Sequence, residues 1–258
     1  MGKSNTRNIL LLTATITPKS GVPNLTRVDP KLRLRDYHEA LEFYLSLLSK
    51  GCDGIIFAEN SNSDVSSLQK LVEKHSATEQ VEFIVFDGLD YPVNYDRGYG
   101  EFKLIDYAMK QSKMVSTGVD KIIIWKITGR YLVRNLDQII AHQPYNFDIY
   151  ANFRNYPKCW VDTFLMAWTP QAYQIGLNEV YHRLKTNIPE VPEGMAAEEL
   201  LRNWLDQQPK TLKFKRRFNV TPQVDGKRGA DNKGYSTDNW WKFSLRSMLN
   251  MLFPWLWV

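Results

Sequence analysis

Apolar and polar positions along this chain fall into blocks that spell a repeating order of strands and helices. Residues 8–16 (Asn-Ile-Leu-Leu-Leu-Thr-Ala-Thr-Ile) form a short apolar run, the pattern of a strand buried on both faces. Residues 17–30 carry Pro18, Pro23, Pro30 and Gly21, a loop long enough to cover a ligand. Leu34, Tyr37, Leu41, Tyr44, Leu45 and Leu48 then recur at helical spacing, predicting a helix over 31–49 that stops at Gly51. Second and third strands are expected at 54–58 and 81–86, with a helix at 65–75 between them, capped by Ser63 or Asp64. The polar loop 59–64 follows the second strand, and Asp87-Gly-Leu-Asp90 follows the third.

A tyrosine- and glycine-bearing loop over 91–100 leads to an amphipathic helix from Glu101 to about Lys113. Ile122–Trp125, four large apolar residues in a row, read as the fourth strand, too short for a helix and rich in β-branched side chains. It breaks into the turn Thr128-Gly129-Arg130-Tyr131, where glycine permits close backbone approach and Arg130 supplies a fixed cation with fork geometry. A short helix at 136–141 and a fifth strand at 147–153 come next. A further strand over 163–169 and helices at 170–186 and 196–207 complete the pattern, with Glu198, Glu199 and Asp206 expected to face water. Regular alternation of strand and helix argues a mostly parallel sheet flanked by helices. In such sheets ligands bind outside the carboxyl ends of the strands. The turn after the fourth strand is therefore the expected place of the chemistry.

Composition narrows the class. At 258 residues, 43% apolar and 24% charged, the chain is an ordinary globular protein of one large domain or a domain with an appendage. Cys52 and Cys159 cannot build a disulfide framework and read as free thiols in a reducing compartment. No zinc-spaced Cys/His cluster, secretory signal or apolar run of 18 residues is present. The net charge of +5 is concentrated: Lys210, Lys213, Lys215, Arg216 and Arg217 crowd into eight positions, which suits an anionic partner. The last 20 residues hold Trp240, Trp241, Trp255 and Trp257 with only Lys242 and Arg246 charged. A Trp-rich segment with cations reads as an anchor for an anionic membrane surface. The expected organisation is a catalytic domain over 1–208 and a basic, Trp-rich extension over 209–258.

Three segments carry a resemblance. Asp96-Arg-Gly-Tyr-Gly-Glu-Phe-Lys-Leu-Ile-Asp-Tyr-Ala108, Lys126-Ile-Thr-Gly-Arg-Tyr131 and the opening Leu-Leu-Thr-Ala-Thr-Ile-Thr-Pro together resemble bacterial GT-A-like glycosyltransferases of O-antigen and capsular polysaccharide assembly. The resemblance covers roughly the first two-thirds of the chain. It implies a nucleotide-sugar donor across the carboxyl edge of the sheet, and a growing, lipid-linked glycan as acceptor at the cytoplasmic face of the inner membrane, without nucleic acid. Gly98-Tyr99-Gly100 before a helix would offer backbone N–H groups to a diphosphate. Thr13, Thr15, Asn60 and Asp64 would meet base or ribose, and Tyr91, Tyr95 and Tyr99 would stack on sugar or base.

GT-A enzymes usually place an Asp-x-Asp at the end of the fourth strand, to hold a divalent ion. Here that location reads Lys126-Ile-Thr128-Gly129-Arg130. Either Lys126 and Arg130 neutralise the diphosphate without a metal cofactor, or Asp87 and Asp90 hold magnesium or manganese. The first reading is preferred because cations beside a metal site would repel the ion. The acceptor hydroxyl needs a base. Asp162, before the run Thr163–Trp168, resembles the Asp-Ser/Thr segment of these transferases, and Glu179, Asp148 and His182 stand in reserve. The rivals are a nucleotidyltransferase, disfavoured by the single glycine after the first strand, and a non-catalytic basic binding module.

Overall fold

The computed structural model describes residues 6–116, 121–156 and 158–226. The chain runs β1 (Thr6–Ala14), α1 (Pro30–Leu45), β2 (Gly54–Glu59), α2 (Ser66–Lys74), β3 (Val81–Val85), α3 (Asp96–Gln111) and α4 (Lys113–Ser116). It continues β4 (Lys121–Thr128), β5 (Leu132–Val133), α5 (Leu136–Ala141), β6 (Ile149–Arg154), β7 (Trp160–Trp168) and α6 (Pro170–Gly176). Last come α7 (Ala197–Asp206), β8 (Phe214–Lys215) and β9 (Val224–Asp225).

Among the described residues seven strands form one sheet in the order β3-β2-β1-β4-β7-β6-β8, and β5 pairs separately with β9. β1 lies parallel to both β2 and β4, and β2 to β3. β7 alone runs against its neighbours β4 and β6. The five-residue link between Arg154 and Trp160 explains the reversal, because a parallel return needs a crossover of a dozen residues or so. The sheet is thus mixed but mostly parallel, as the alternation of elements predicts.

The strands that read as continuous apolar runs are covered on both faces. Leu10, Leu12, Trp125 and Ile127 face α1, α2 and α5, packing with Tyr37, Leu41, Leu68 and Ile139. Ile9, Leu11, Ile122 and Ile124 face α3, α6 and α7, packing with Phe102, Ile105, Tyr173 and Leu201. Alternation along β1 and β4 therefore decides on which side of the sheet each edge residue emerges.

Three expectations need correction. The helix expected over 170–186 stops at Gly176, where Tyr173 O accepts from both Leu177 N and Asn178 N and Glu179 takes a left-handed φ of 56°. A single 3₁₀ turn over Val180–Arg183 follows. The helix expected to begin at Glu101 begins at Asp96, so Gly98 and Gly100 lie inside its first turns. The segment from 209 enters the main sheet through β8 and buries Leu212, Phe218 and Val224. The Trp-rich tail lies outside the described residues.

Candidate functional site

The carboxyl edge of β1 and β4 gathers two groups of charged side chains, one on each side of the sheet. On the α3/α7 side Thr13 and Thr128 emerge beside Glu101, the sixth residue of α3. Glu101 Oε1 accepts from Thr13 Oγ1 at 2.8 Å and Thr128 Oγ1 at 3.0 Å, and Lys126 Nζ lies 2.7 Å away. Lys126 is fully buried and also donates to Thr128 Oγ1 at 3.2 Å and to the Thr163 carbonyl of β7. Withdrawal from water would raise Glu101, but Lys126 and the two hydroxyls outweigh it and hold the carboxyl below the ordinary glutamate value.

Glu198, in the first turn of α7, completes this group. Thr163 Oγ1 donates to Glu198 Oε1 at 3.4 Å. Burial, and then the charges of Glu101 and Asp162, push its carboxyl above the ordinary glutamate range. Glu198 is thus half-buried rather than freely facing water as expected. Glu199 accepts from Ala196 N at 3.2 Å and pairs with Lys158 at 3.0 Å, capping the helix. Small residues bring Glu198 in: a Cβ on Gly98 would stand 2.2 Å from the Ala197 Cβ, so α3 and α7 touch where both lack bulk. That signal, Ala196-Ala197 before an acid pair and Gly98 in the partner helix, was present in the sequence.

Asp162 lies inside β7, not before it, and is buried. Its Oδ2 accepts from Arg154 Nη2 at 2.8 Å and Nε at 3.2 Å. It stands near enough to Glu198 to raise that group's proton affinity, but its own carboxylate is clamped by a guanidinium. Glu179 is placed elsewhere: its N–H donates to Asp106 and its carboxylate lies 3.5 Å from Lys110. Lys110 is nine residues along α3 from Glu101, about 13 Å of helix. Asp148 precedes β6 at the opposite edge of the sheet, where its carboxylate accepts from Lys213 N, and His182 is exposed.

On the α1 side the charges are cationic. Arg33 is 5% exposed and Arg130 7%. Arg33 Nε donates to the Thr15 carbonyl at 2.6 Å, Nη1 to the Arg27 carbonyl at 3.0 Å and Nη2 to Tyr37 Oη at 3.1 Å. Gly129 N donates to the Thr13 carbonyl at 2.9 Å, and a Cβ at Gly129 would come within 2.8 Å of that oxygen. Glycine is needed there for the two strand ends to meet, and the contact carries Arg130 to the tip of β1. The two cations expected to act together are thus divided: Lys126 is committed to Glu101 beneath one face, and Arg130 lies with Arg33 on the other.

The loops around this edge are tied down by a buried carboxylate. Glu59, ending β2, accepts from the N–H groups of Ile16, Ser61 and Ser63. Asn60 Oδ1 accepts from Thr15 Oγ1 at 2.6 Å. Thr15 and Asn60 thus bind each other at the edge. Asp64 accepts from Ser66 N at 2.8 Å just ahead of α2, but the N-cap is Val65, not Ser63 or Asp64 as expected, and it makes no side-chain capping bond. Tyr91, Tyr95, Tyr99 and Tyr181 pack ring against ring at 4.9–5.3 Å between centroids, which makes them a wall rather than an open slot. Gly98 and Gly100 serve contact: a Cβ on Gly100 would strike the Tyr91 hydroxyl at 1.9 Å. Asp87 is exposed, and Asp90 pairs with Lys103. Among the described residues no group of three His, Cys, Asp or Glu is arranged to hold a metal ion.

No protein-family model and no curated protein matches the chain. Solved structures do. The glycosyltransferase GlyE of Streptococcus pneumoniae TIGR4 aligns over 97% of this chain and 64% of its own, at 9% identity and a TM-score of 0.52. A glycosyltransferase involved in the glycosylation of the major capsid of PBCV-1 aligns over 81% and 80% at 10% identity and 0.44. The inositol-1-phosphate CTP transferase from T. maritima aligns over 96% and 97% at 14% identity and 0.44. The likeness to GlyE is one of fold: a mostly parallel sheet flanked by helices, of the GT-A-like kind.

Proposed function

We propose that the chain is a glycosyltransferase that moves a sugar from a nucleotide-sugar donor to a growing, lipid-linked glycan of the bacterial surface, without a metal ion. The observation that carries this reading is Glu198, a carboxylate held by Thr163 at the carboxyl edge of a mostly parallel sheet, beside the buried Lys126–Glu101 ion pair and of raised proton affinity. The GT-A-like fold supports it, and GlyE is itself a glycosyltransferase.

In an inverting transfer the roles divide as follows. The Glu198 carboxylate takes the proton of the acceptor hydroxyl, and the oxygen's electron pair forms the bond to the anomeric carbon. The bond from that carbon to the phosphate oxygen breaks, its electron pair leaving on the nucleoside diphosphate, which Arg130 stabilises. A base of raised pKa works well near neutral pH, and burial, followed by the charges of Glu101 and Asp162, raises Glu198. Asp162 and Arg154 shape the wall beside it. The basic segment after 209 and the Trp-rich tail supply the attraction to anionic lipid that would bring the enzyme to its acceptor.

The test is a thermal-shift and turnover screen against nucleotide sugars in excess EDTA. Stabilisation by one of them, with release of the nucleotide, is expected. Glu198→Gln should lower turnover about 10²–10⁴-fold while leaving donor stabilisation in place. Release of pyrophosphate from a nucleoside triphosphate and a sugar phosphate would instead make it a nucleotidyltransferase. Full activity in Glu198→Gln would remove the base assignment.

A further inference from the structure

β6 and β7 fall out of step at one place. β6 passes from Ala151 to Phe153 while β7 passes from Met166 to Val161, so residues 162–165 bulge from their partner strand. A bulge leaves backbone groups outside the ladder and re-aims side chains. Here the Thr163 carbonyl accepts from Lys126 Nζ, a fully buried ammonium on β4. A buried ammonium has to place its protons on acceptors, and this one also meets the Glu101 carboxylate at 2.7 Å and Thr128 Oγ1 at 3.2 Å. Each of its three N–H donors thus has an acceptor. Lys126 pins the backbone of the bulge.

The pinned residue faces the first turn of α7, which packs directly on β7. Thr163 Oγ1 donates to Glu198 Oε1 at 3.4 Å, and among the described residues Thr163 is the side chain that gives Glu198 a hydrogen bond. Charges act on Glu198 from each element packed around it. Glu101 on α3 and Asp162 on β7 disfavour its ionised form, while Arg97 on α3 and Lys126 on β4 favour it. The last torsion of a glutamate is broad, so a carboxylate without a partner turns freely. With Oε1 held, Oε2 is the atom left for a substrate proton.

We propose that Thr163 is the positioning residue of Glu198: its hydroxyl, fixed by the bulge and by the grip of Lys126 on its carbonyl, holds Oε1 so that Oε2 meets the acceptor hydroxyl. The proposal rests on the reading of Glu198 as the base. In the transfer Oε2 takes the hydroxyl proton and the freed oxygen bonds to the anomeric carbon. The phosphate leaves with the electron pair of the broken bond. Thr163 gains and loses no proton. A hydroxyl that donates to the ionised carboxylate favours that form, so Thr163 also keeps Glu198 available as a base. The buried Lys126–Glu101 pair thereby acts on the reaction without touching substrate.

NMR titration of the full, unliganded chain with isotope-labelled glutamate tests this, the Glu198 signal being identified by its loss in Glu198→Gln. Thr163→Val, nearly the same shape without the hydroxyl, should move the Glu198 midpoint upward by about half a pH unit or more, because the ionised form loses its donor. Thr163→Ser, which keeps the hydroxyl, should return the midpoint to that of the parent. With a nucleotide sugar that is turned over, Thr163→Val should lower kcat about tenfold or more with the donor KM within about twofold. The acid limb of its rate profile should move to higher pH with the NMR midpoint, and Thr163→Ser should restore most of the rate. Unliganded melting curves check folding, and Thr163→Ala carries the test if Thr163→Val does not fold. An unchanged midpoint in a folded variant overturns the proposal, as does Thr163→Ser behaving like Thr163→Val. Failure of the base reading looks different: the midpoint then still moves, but Glu198→Gln keeps full turnover.

Discussion

On the α3/α7 side of the sheet edge, Lys126 is buried against Glu101 with Glu198 and the Asp162–Arg154 pair close by. On the α1 side, Arg33 is buried with Arg130 and Arg27, and a nearby carboxylate, Asp36, belongs to Arg27. The first side sets Glu101, Glu198 and Asp162 against Lys126, Arg154 and Arg97; on the second, Arg33 makes its three hydrogen bonds to neutral oxygens. Burial, with the charges of Glu101 and Asp162 behind it, raises the proton affinity of Glu198. Guanidinium groups attract an anion. A group transfer needs both: something to take a proton from the acceptor and something to hold the phosphate that departs. The two sides meet through Thr13 and Gly129, so one hydrogen-bonded contact between strand ends sets their separation.

The largest effect should come from breaking the compensated side. Lys126→Met leaves Glu101 buried without its cation and should cost about 3–5 kcal/mol in urea unfolding. The double variant Lys126→Met with Glu101→Gln removes both charges and should recover most of the loss. Arg33→Gln on the other side should cost distinctly less, because there the charge itself is the unfavourable part. An equal loss from both would erase the contrast between Lys126, which has a carboxylate partner, and Arg33, whose hydrogen bonds go to neutral oxygens.

A smaller effect should follow from moving Glu198 without changing it. Gly98→Ala puts a methyl 2.2 Å from Ala197 and must push the start of α7 away. Overpacking of this kind costs about 1–3 kcal/mol. Turnover should fall by more than that destabilisation explains, since Glu198 is the next residue, while stabilisation by the donor stays in place. Ala197→Gly in the same chain restores the space and should restore both stability and turnover. Loss of donor stabilisation in Gly98→Ala would mean that the two sides are one rigid unit.

Most of the scaffold was legible because its signals are local. Apolar runs such as Ile9–Leu12 and Ile122–Trp125 mark buried strands whatever surrounds them, and Pro30 or Thr169-Pro170 mark helix starts. The reversal of β7 follows from the five-residue link after Arg154, which the strand bounds of 147–153 and 163–169 read from the apolar pattern do not reveal. The site was harder because its residues owe their roles to partners distant in sequence. Lys126 reads as a cation that would meet a diphosphate until Glu101 on another element claims it. Arg33 reads as helix surface until Thr15 and Tyr37 bury it. Glu198 reads as the wet start of a helix until the Gly98–Ala197 contact turns it inward. The glycines at 98 and 100 suggested a phosphate loop, yet each makes room for a neighbour's side chain.

The last and smallest effect separates the two carboxylates of the α3/α7 side by pH. Glu198 has a folded-state pKa raised above its ordinary 4.5, so its favourable contribution is complete below that value and is lost as pH rises through the folded one. Glu101 is shifted downward, so its contribution is present above 4.5 and is lost as pH falls through its folded value. Glu198→Gln should therefore match the parent protein at pH 4 and become the more stable of the two toward neutrality. The gain in Tm should be a few degrees, on a scale of about 2–4 °C per kcal/mol for a domain of this size. Glu101→Gln should behave oppositely, losing stability at neutral pH and converging on the parent in acid. Melting curves of both variants over pH 4–8 check the pair. If Glu198→Gln showed the same stability difference at every pH, Glu198 would carry no raised proton affinity, and its burial beside Glu101 and Asp162 would have no chemical consequence.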